Sequence, residues 1–264
     1  MSILNLEAEI LLAHVLGVSR EKIIAHPEMK IPGRSSRHFK ILCAKREKGM
    51  PLAYITHHKE FFGLNFYIDE RVLIPRPETE ILVEETLKLC LEGGNYNSVL
   101  DIGTGSGCIA VTLAKKMLNA RIIAVDISVS AINVAKKNAQ MHNVADKIEF
   151  IKSDLLSGVL DRNIDIIVAN LPYIGEAEKR FVSRETLDYE PRAALFAGKT
   201  GLELFEKLFR QLGEVVLRPK YLLAEVGFSQ KPAIGKLIKS YFGNVDVKWR
   251  KDLAGINRVF IIKF

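Results

Sequence analysis

Cysteine is scarce in this chain: Cys43, Cys90 and Cys108 are the three in 264 residues. So few, and so scattered, they exclude a disulfide framework and a Cys-rich zinc site, and a reducing compartment, the cytoplasm, is the expectation. Their apolar helical surroundings suit inert packing better than nucleophilic chemistry. Long apolar runs are missing as well. No window approaches the roughly 18 apolar residues of a spanning helix. Met1 to Leu12 has no basic segment leading into such a run, so neither secretion nor membrane insertion is expected. Metal-ligand spacing is lacking too: no Cys or carboxylate follows His57-His58 at a typical interval, which leaves a hairpin or surface location for the pair.

What is present has a globular balance. With 48% hydrophobic and 26% charged residues, 18 Gly and 9 Pro, a mainly disordered or collagen-like chain is excluded. The length suits one large α/β domain, or a medium one with a small satellite. The formal charge of +7 is unevenly placed: residues 1–50 carry nine basic and five acidic side chains, residues 229–264 eight and two, and the middle is slightly acidic. Basic ends can steer an acidic protein, tRNA or ribosomal RNA. Scattered Lys and Arg equally serve to solvate a surface, and no aromatic-interleaved basic stripe accompanies them.

The first 50 residues read as helices. Leu4, Ile10, Leu11, Val15 and Leu16 recur at near-helical spacing before Gly17; Ser19 opens a short second helix ending by His26-Pro27; Arg37 to Lys48 is a third, closed by Gly49. After Pro51 the period changes. From Tyr54 to Leu73 the aromatic and β-branched residues around Gly63 and Asn65 predict extended, hairpin-like pairing. Glu78 to Leu91 then reads as a helix. The remainder alternates: strands at Val99–Asp101, Arg121–Asp126, Ile148–Ile151 and Ile164–Ala169, helices at Cys108–Leu118 and Ile132–Gln140, and further helix, strand, helix and strand at Leu202–Leu212, Tyr221–Val226, Ile234–Ser240 and Val259–Ile262. That order predicts a largely parallel, doubly wound sheet whose active edge lies beyond the carboxyl ends of its strands. Three parts follow: helical residues 1–50, a connector with a β-hairpin over 51–76, and an α/β domain over 77–264.

Asp101-Ile102-Gly103-Thr104-Gly105-Ser106-Gly107, directly after the first strand, is the strongest local signal. Its glycines permit a tight turn and close backbone approach to a ligand. Cys108 stands where the dinucleotide fingerprint has its third glycine, so a pyrophosphate cradle, and with it a nicotinamide dehydrogenase, is disfavoured. S-adenosylmethionine, which needs a sharp loop but no pyrophosphate site, fits better. Asp126 ends the second strand, where a carboxylate can accept both ribose hydroxyls. Asp154 follows the third strand and can meet the adenine amine while Leu155 packs on the ring; capping of the next turn explains Asp154 equally well. After the fourth strand comes Asn170-Leu171-Pro172-Tyr173. An amide nitrogen is a poor nucleophile because its lone pair is delocalised, so its methylation needs acceptors around its hydrogens and an electrophilic methyl in line. The Asn170 side-chain oxygen and the Leu171 carbonyl can supply those acceptors, with Pro172 fixing the turn and Tyr173 packing on the planar amide.

Across essentially its full length the chain resembles the glutamine N5-methyltransferases that modify peptide chain release factors. The resemblance runs through Pro51 to Thr56, Glu60-Phe61-Phe62-Gly63-Leu64, Val72 to Glu80, the glycine loop, Asn170 to Tyr173, Glu190-Pro191-Arg192-Ala193-Ala194-Leu195, Ala224-Glu225-Val226-Gly227 and Asp252-Leu253-Ala254-Gly255. It implies an S-adenosylmethionine-dependent Rossmann-like methyltransferase fold with a small N-terminal helical domain and a β-hairpin connector. In that reading Asp101, Gly103, Thr104, Gly105, Ser106, Gly107, Asp126, Asp154, Leu155 and Asn170 bind the cofactor. Asn170, Leu171, Pro172 and Tyr173 hold the glutamine of the Gly-Gly-Gln tip and are the catalytic group. Arg76, Pro77 and Glu78 lie at the substrate entrance, and the helical module docks the partner, a class I release factor. A cytoplasmic monomer that needs neither a nucleic-acid substrate nor a membrane is implied.

Two departures stand out. The family usually has Asn-Pro-Pro-Tyr where this chain has Leu171, and Ala197-Gly198 replaces the more usual Gly-Gly. Two other functions share parts of the pattern. Methylation of the exocyclic N6 amine of adenine uses the same acceptor geometry, but on duplex DNA it requires base flipping and usually a large basic surface. A non-catalytic adaptor would bind the cofactor without turnover.

Overall fold

The computed structural model describes residues 6–91, 96–117, 119–214 and 218–264. The chain starts with α1 (Leu6–Leu16), α2 (Arg20–Ala25) and α3 (Gly33–Glu47). Gly17, at φ +64°, ends α1, and the Ser19 hydroxyl caps α2 by accepting from Lys22 N. Leu11, Leu42 and Ile55 form a small core here. Leu4, assigned to the first helix from its spacing, lies outside the described residues. α3 begins at Gly33 rather than Arg37, because extended Pro32 already supplies the entry and its carbonyl accepts from Ser36 N.

Pro51 does not lead directly into extended chain. Its carbonyl accepts from both Tyr54 and Ile55 N, closing a short helix, α4 (Leu52–Thr56), which buries those two side chains. The expected hairpin follows as β1 (Lys59–Phe61) and β2 (Leu64–Phe66), turned at Phe62 and Gly63, both with positive φ. Glu80 holds this turn by accepting from Phe62 N at 2.8 Å.

A 3-10 turn over Pro77–Thr79 leads into α5 (Glu80–Leu91), followed by β3 (Ser98–Ile102), α6 (Cys108–Lys116), β4 (Arg121–Asp126), α7 (Val129–Met141) and β5 (Ile148–Lys152). Leu118, placed at the end of α6 by its sequence pattern, is outside the described residues. Next come β6 (Ile166–Ala169), β7 (Ile174–Gly175), α8 (Arg184–Tyr189), α9 (Arg192–Leu195), β8 (Phe196–Gly198) and α10 (Glu203–Glu214). β9 (Tyr221–Glu225), α11 (Lys231–Phe242), β10 (Asp246–Lys251) and β11 (Asn257–Lys263) complete the chain.

The main sheet runs β10-β11-β9-β6-β3-β4-β5. The five strands from β9 to β5 are parallel, and β11 and β10 extend the sheet antiparallel. Successive strand residues serve opposite cores. Val99, Ile122, Val168 and Leu223 pack with the helices α5, α6 and α7, while Leu100, Ile123, Ile167 and Leu222 pack with α10 and α11. Burial on both faces explains why these strands read as continuous apolar runs. β10 escapes such a reading because its sequence, Asp-Val-Lys-Trp-Arg-Lys, is that of a charged edge strand. The parallel pair β7–β8 escapes it because it is too short to show a period. From β3 the chain builds β4 and β5 to one side and then returns to place β6 on the other. The switch between β3 and β6 opens a crevice beyond the strand ends.

Candidate active site

The crevice is floored by the glycine loop. Asp101, fully buried near the end of β3, accepts from Thr104 Oγ1 at 2.7 Å through Oδ2, and its Oδ1 has no hydrogen-bond partner among the described residues. Burial, with the charge of Asp126 adding to it, pushes its carboxyl up to about 7. Gly103, Gly105 and Gly107 all have positive φ, and the loop is stitched to β4: Gly103 N and Thr104 N both donate to Val125 O at 2.9 Å. The Asp126 carboxylate accepts from Gly105 N at 2.9 Å on one oxygen and from Ser128 N at 2.8 Å on the other. The Ile127 N–H adds a weaker third contact, and a carboxylate's roughly four acceptor positions leave capacity for a ligand. Burial raises the pKa of Asp126 also.

Whether this cradle fits S-adenosylmethionine can be judged from its open and filled positions. A Cβ on Gly107 would strike Ala135 at 2.9 Å, so that glycine serves helix packing, whereas a Cβ on Gly105 would meet only Gly103 O at 3.9 Å. The loop therefore leaves room beside Gly105, whose N–H is held by the Asp126 carboxylate, while the unpartnered Asp101 Oδ1 is buried near the end of β3. Spare acceptors suit the ammonium, sulfonium and ribose hydroxyls of the cofactor, and the residues fit it. Asn138, which sequence reasoning missed, braces the loop from below: its Nδ2 donates to Ser106 O and Tyr67 O, and its Oδ1 accepts from Tyr67 N. A lone polar residue on the buried side of the α7 pattern was its one signal. Asp154 is partly exposed and ion-paired with Lys207 on α10, while Leu155 beside it is buried with φ +54°.

The turn from Asn170 to Tyr173 leaves β6 across the switch. Asn170 Nδ2 donates to Thr79 Oγ1 at 3.0 Å; Thr79 Oγ1 donates to Glu225 Oε2 at 2.7 Å; and Tyr173 OH donates to Glu225 Oε1 at 3.3 Å. Neither Asn170 Oδ1 nor the Leu171 carbonyl accepts a protein hydrogen bond among the described residues, whereas Tyr173 O accepts from Gln230 Nε2 at 2.7 Å. Glu225 sits at the end of β9, 1% exposed, and burial pushes its carboxyl up to about 7 despite the hydrogen bonds it receives. Burial and the neighbouring Glu225 raise the Tyr173 phenol as well. Gly201 approaches so closely that a Cβ there would lie 2.3 Å from Tyr173 O. The turn borders a cleft of about 240 Å³ whose lining includes Asn170 to Ile174, Leu73, Arg76 and Glu225, with Val182, Thr186, Ala194 and Leu195 as its far wall.

Of the expected entrance residues, Arg76 lines this cleft, and its guanidinium is ion-paired with the buried Glu190, which also accepts from Ile74 N. Pro77 and Glu78 are not part of the lining; Glu78 is electrostatically coupled to Glu225 and Arg258. The wall is tied to the N-terminal helices. Arg46 on α3 pairs with Glu7 on α1 and with Glu185 on α8, and Tyr189 OH donates to Lys48 O. Thr79, Glu190, Glu225 and Gln230 carry no local sequence signal of a role; three of them fall in strings that mark the family resemblance. Among the described residues no group of three or more His, Cys, Asp or Glu side chains is placed to hold a metal. Burial pushes the Cys108 thiol up to about 12.

Comparison with known proteins bears on the same residues. The family described as methyltransferase small domain matches residues 78–195, and the PrmC N-terminal domain matches residues 4–56. A release factor glutamine methyltransferase from Koribacter versatilis is 38% identical over 258 residues, covering 97% of this chain and 90% of that protein. One from Nitratidesulfovibrio vulgaris is 40% identical over 256 residues, 96% and 86% respectively. Among solved structures, the hMettl16 catalytic domain in complex with MAT2A 3'UTR hairpin 6 matches with a TM-score of 0.63 at 18% identity, covering 81% of this chain and 80% of that one. At that identity the likeness is one of fold.

Proposed function

The chain belongs to the family of release factor glutamine methyltransferases, and from that premise we propose that it methylates the side-chain amide nitrogen, N5, of the glutamine in the Gly-Gly-Gln motif of class I peptide chain release factors. S-adenosylmethionine supplies a methyl already made electrophilic by its sulfonium. The observation that carries the reading is the state of Asn170, whose Nδ2 is committed to Thr79 while its Oδ1 is unpartnered at a cleft beside the glycine loop. That oxygen and the Leu171 carbonyl accept the two N–H groups of the substrate amide and hold its nitrogen still. Tyr173 packs on the amide plane, and Pro172 holds the turn. With the cofactor bound, transfer would exchange its C–S bond for a new C–N bond, and the amide nitrogen, made acidic by alkylation, would release its extra proton to water.

The cofactor roles follow the cradle. Asp126 would accept the ribose hydroxyls, the loop from Gly103 to Gly107 would hold the methionyl arm, and Asp154 with Leu155 would border the adenine. Arg76 shapes the entrance through Glu190. We assign residues 1–50 to docking of the release factor, residues 51–76 to a connector, and residues 77–264 to catalysis. The protein acts as a cytoplasmic monomer without a nucleic-acid substrate; no helix among the described residues is long and apolar enough to cross a membrane. Adenine-N6 methylation draws on the same turn but is not favoured, since release factor glutamine methyltransferases align over nearly the whole chain.

Intact-mass and peptide mass spectrometry of a purified release factor incubated with the protein and S-adenosylmethionine tests this, with adenine-containing DNA in a parallel reaction. One added methyl on the Gly-Gly-Gln glutamine, absent without cofactor, is expected. Methylated adenine with an unmodified release factor would overturn it.

A further inference from the structure

Asn170 reaches β9 through a directed chain of hydrogen bonds, Asn170 Nδ2–H to Thr79 Oγ1 and Thr79 O–H to Glu225 Oε2. A primary amide can turn over at little cost, exchanging its oxygen for its NH2, and only its neighbours decide which faces outward. A threonine hydroxyl is equally ambivalent, since it donates one hydrogen and accepts from either side. The third member is not: an ionised carboxylate accepts only. With Glu225 ionised, the Thr79 hydrogen must point to it, the Thr79 lone pairs must face Asn170, and the Asn170 NH2 must turn inward.

We infer that Glu225 and Thr79 are positioning residues that set the amide orientation of Asn170, so that the carboxylate at the end of β9 presents the Asn170 oxygen, rather than its NH2, to the substrate glutamine. The inference rests on the acceptor role proposed above for Asn170. A protonated Glu225 can donate to Thr79 instead. The Thr79 hydrogen is then free to point at Asn170 and favours the reversed amide, which places donors against the donors of the substrate.

The surroundings make that protonation accessible. The side chains coupled to Glu225 are Arg258 on β11, Glu78 before α5, the hydrogen-bonded Tyr173 and the Cys108 thiol at the head of α6, and Arg76 stands across the cleft. Burial in this setting pushes the Glu225 carboxyl up to about 7. Asp101 titrates in the same range, but beneath the glycine loop; its protonation is read in cofactor affinity and not in turnover at saturating cofactor.

The test compares Thr79→Val, Thr79→Ser and Glu225→Gln with the parent protein. Turnover of release factor, cofactor affinity, and the Asn170 side-chain NH2 signals by NMR are measured from pH 5.5 to 8.5. Thr79→Val is expected to lower kcat about 100-fold, a loss of the size seen when one oriented polar contact in an active site is removed, with the cofactor Kd within twofold of the parent. Thr79→Ser should recover most of that loss. In the parent, kcat should fall below about pH 7 with a slope approaching tenfold per unit, and this acid limb should vanish in Glu225→Gln, whose amide oxygen still accepts from Thr79. Equal kcat in the Val and Ser variants, or an unchanged acid limb in Glu225→Gln, would overturn the inference. If the parent left release factors unmodified, the functional reading would fail and the NMR arm would still decide this one. Slow exchange of one Asn170 NH2 hydrogen, kept in Thr79→Ser and lost in Thr79→Val, supports it; the same exchange in both refutes it.

Discussion

Gly103 and Leu171 meet across the switch between β3 and β6: a Cβ on Gly103 would lie 3.4 Å from Leu171 Cδ2. The glycine loop and the turn from Asn170 to Tyr173 are therefore neighbours through a residue that occupies the place of the first proline of the family's usual turn. Leu171 is 3% exposed and belongs to the core beneath α10 and α11. It holds the turn by packing, where a proline would hold it by restricting φ.

Gly103→Ala is expected to cost about 1–2 kcal/mol for the left-handed backbone alone, its methyl coming into ordinary contact with Leu171 at 3.4 Å. Leu171→Ala should cost about 2–4 kcal/mol through the space it opens. Because the two positions touch, the loss in the double variant should depart from the sum of the two single losses. Urea unfolding of the four proteins measures this, and strict additivity would disprove the coupling.

Asn170→Ala removes the acceptor without touching the stitching between the glycine loop and β4. Methyl transfer should drop at least 100-fold while S-adenosylmethionine binds with nearly unchanged affinity. Calorimetric titration paired with a radiolabel transfer assay separates the two; transfer at the parent rate would remove Asn170 from the mechanism.

Asp126→Ala takes away both the proposed ribose acceptor and the partner of Gly105 N and Ser128 N. Cofactor affinity is expected to fall at least tenfold. An unaltered Kd would show that the ribose lies elsewhere.

Arg76→Ala strands the Glu190 carboxylate, whose side chain is 1% exposed. Leaving a buried acceptor short of one partner costs about 1–3 kcal/mol, and Arg76→Lys should restore part of it. If thermal unfolding of the Ala variant matched the parent, the pair would not be holding Leu73 to Arg76 against the far wall of the cleft.

Asp101 and Glu225 both have folded-state pKa values pushed up to about 7 by burial, above the ordinary carboxyl values they recover on unfolding. The unfolded chain therefore loses these protons first, so the stability each contributes is complete below about 4 and is lost as pH rises toward and through 7. For Glu225 the difference is on the order of 3 kcal/mol. Unfolding titrations between pH 5 and 8 should show a flatter pH dependence in Glu225→Gln than in the parent. Identical profiles would contradict a neutral Glu225 at acid pH.

Much of the molecule was legible in the order of its residues, because the relevant signals are local. The strand ends at Asp101, Asp126 and Ala169, the positive-φ glycines between Gly103 and Gly107, and the turn from Asn170 to Tyr173 each lie within a few residues of one another. Repeated strand–turn–helix order then brings them to one edge of a parallel sheet. β10 was not legible, since an edge strand with charged residues does not carry the buried pattern. Helix α4 was not legible either, because its five residues are too few to show a period and its aromatic content suits a strand equally well.

What sets the chemistry of the cleft was decided by tertiary structure alone. Thr79 and Glu225 are 146 residues apart, and Arg76 and Glu190 are 114 apart. No local pattern pairs residues at such separations, and a carboxylate in sequence looks the same whether it faces water or a buried hydroxyl. The sheet order, with β9 beside β6 and α5 packed against both, brings Glu225 within hydrogen-bond reach of Thr79. Burial there removes water from the carboxylate, raises its pKa and leaves the protein to satisfy its oxygens. That arrangement aims the amide of Asn170, a property that exists only once the fold has closed around it.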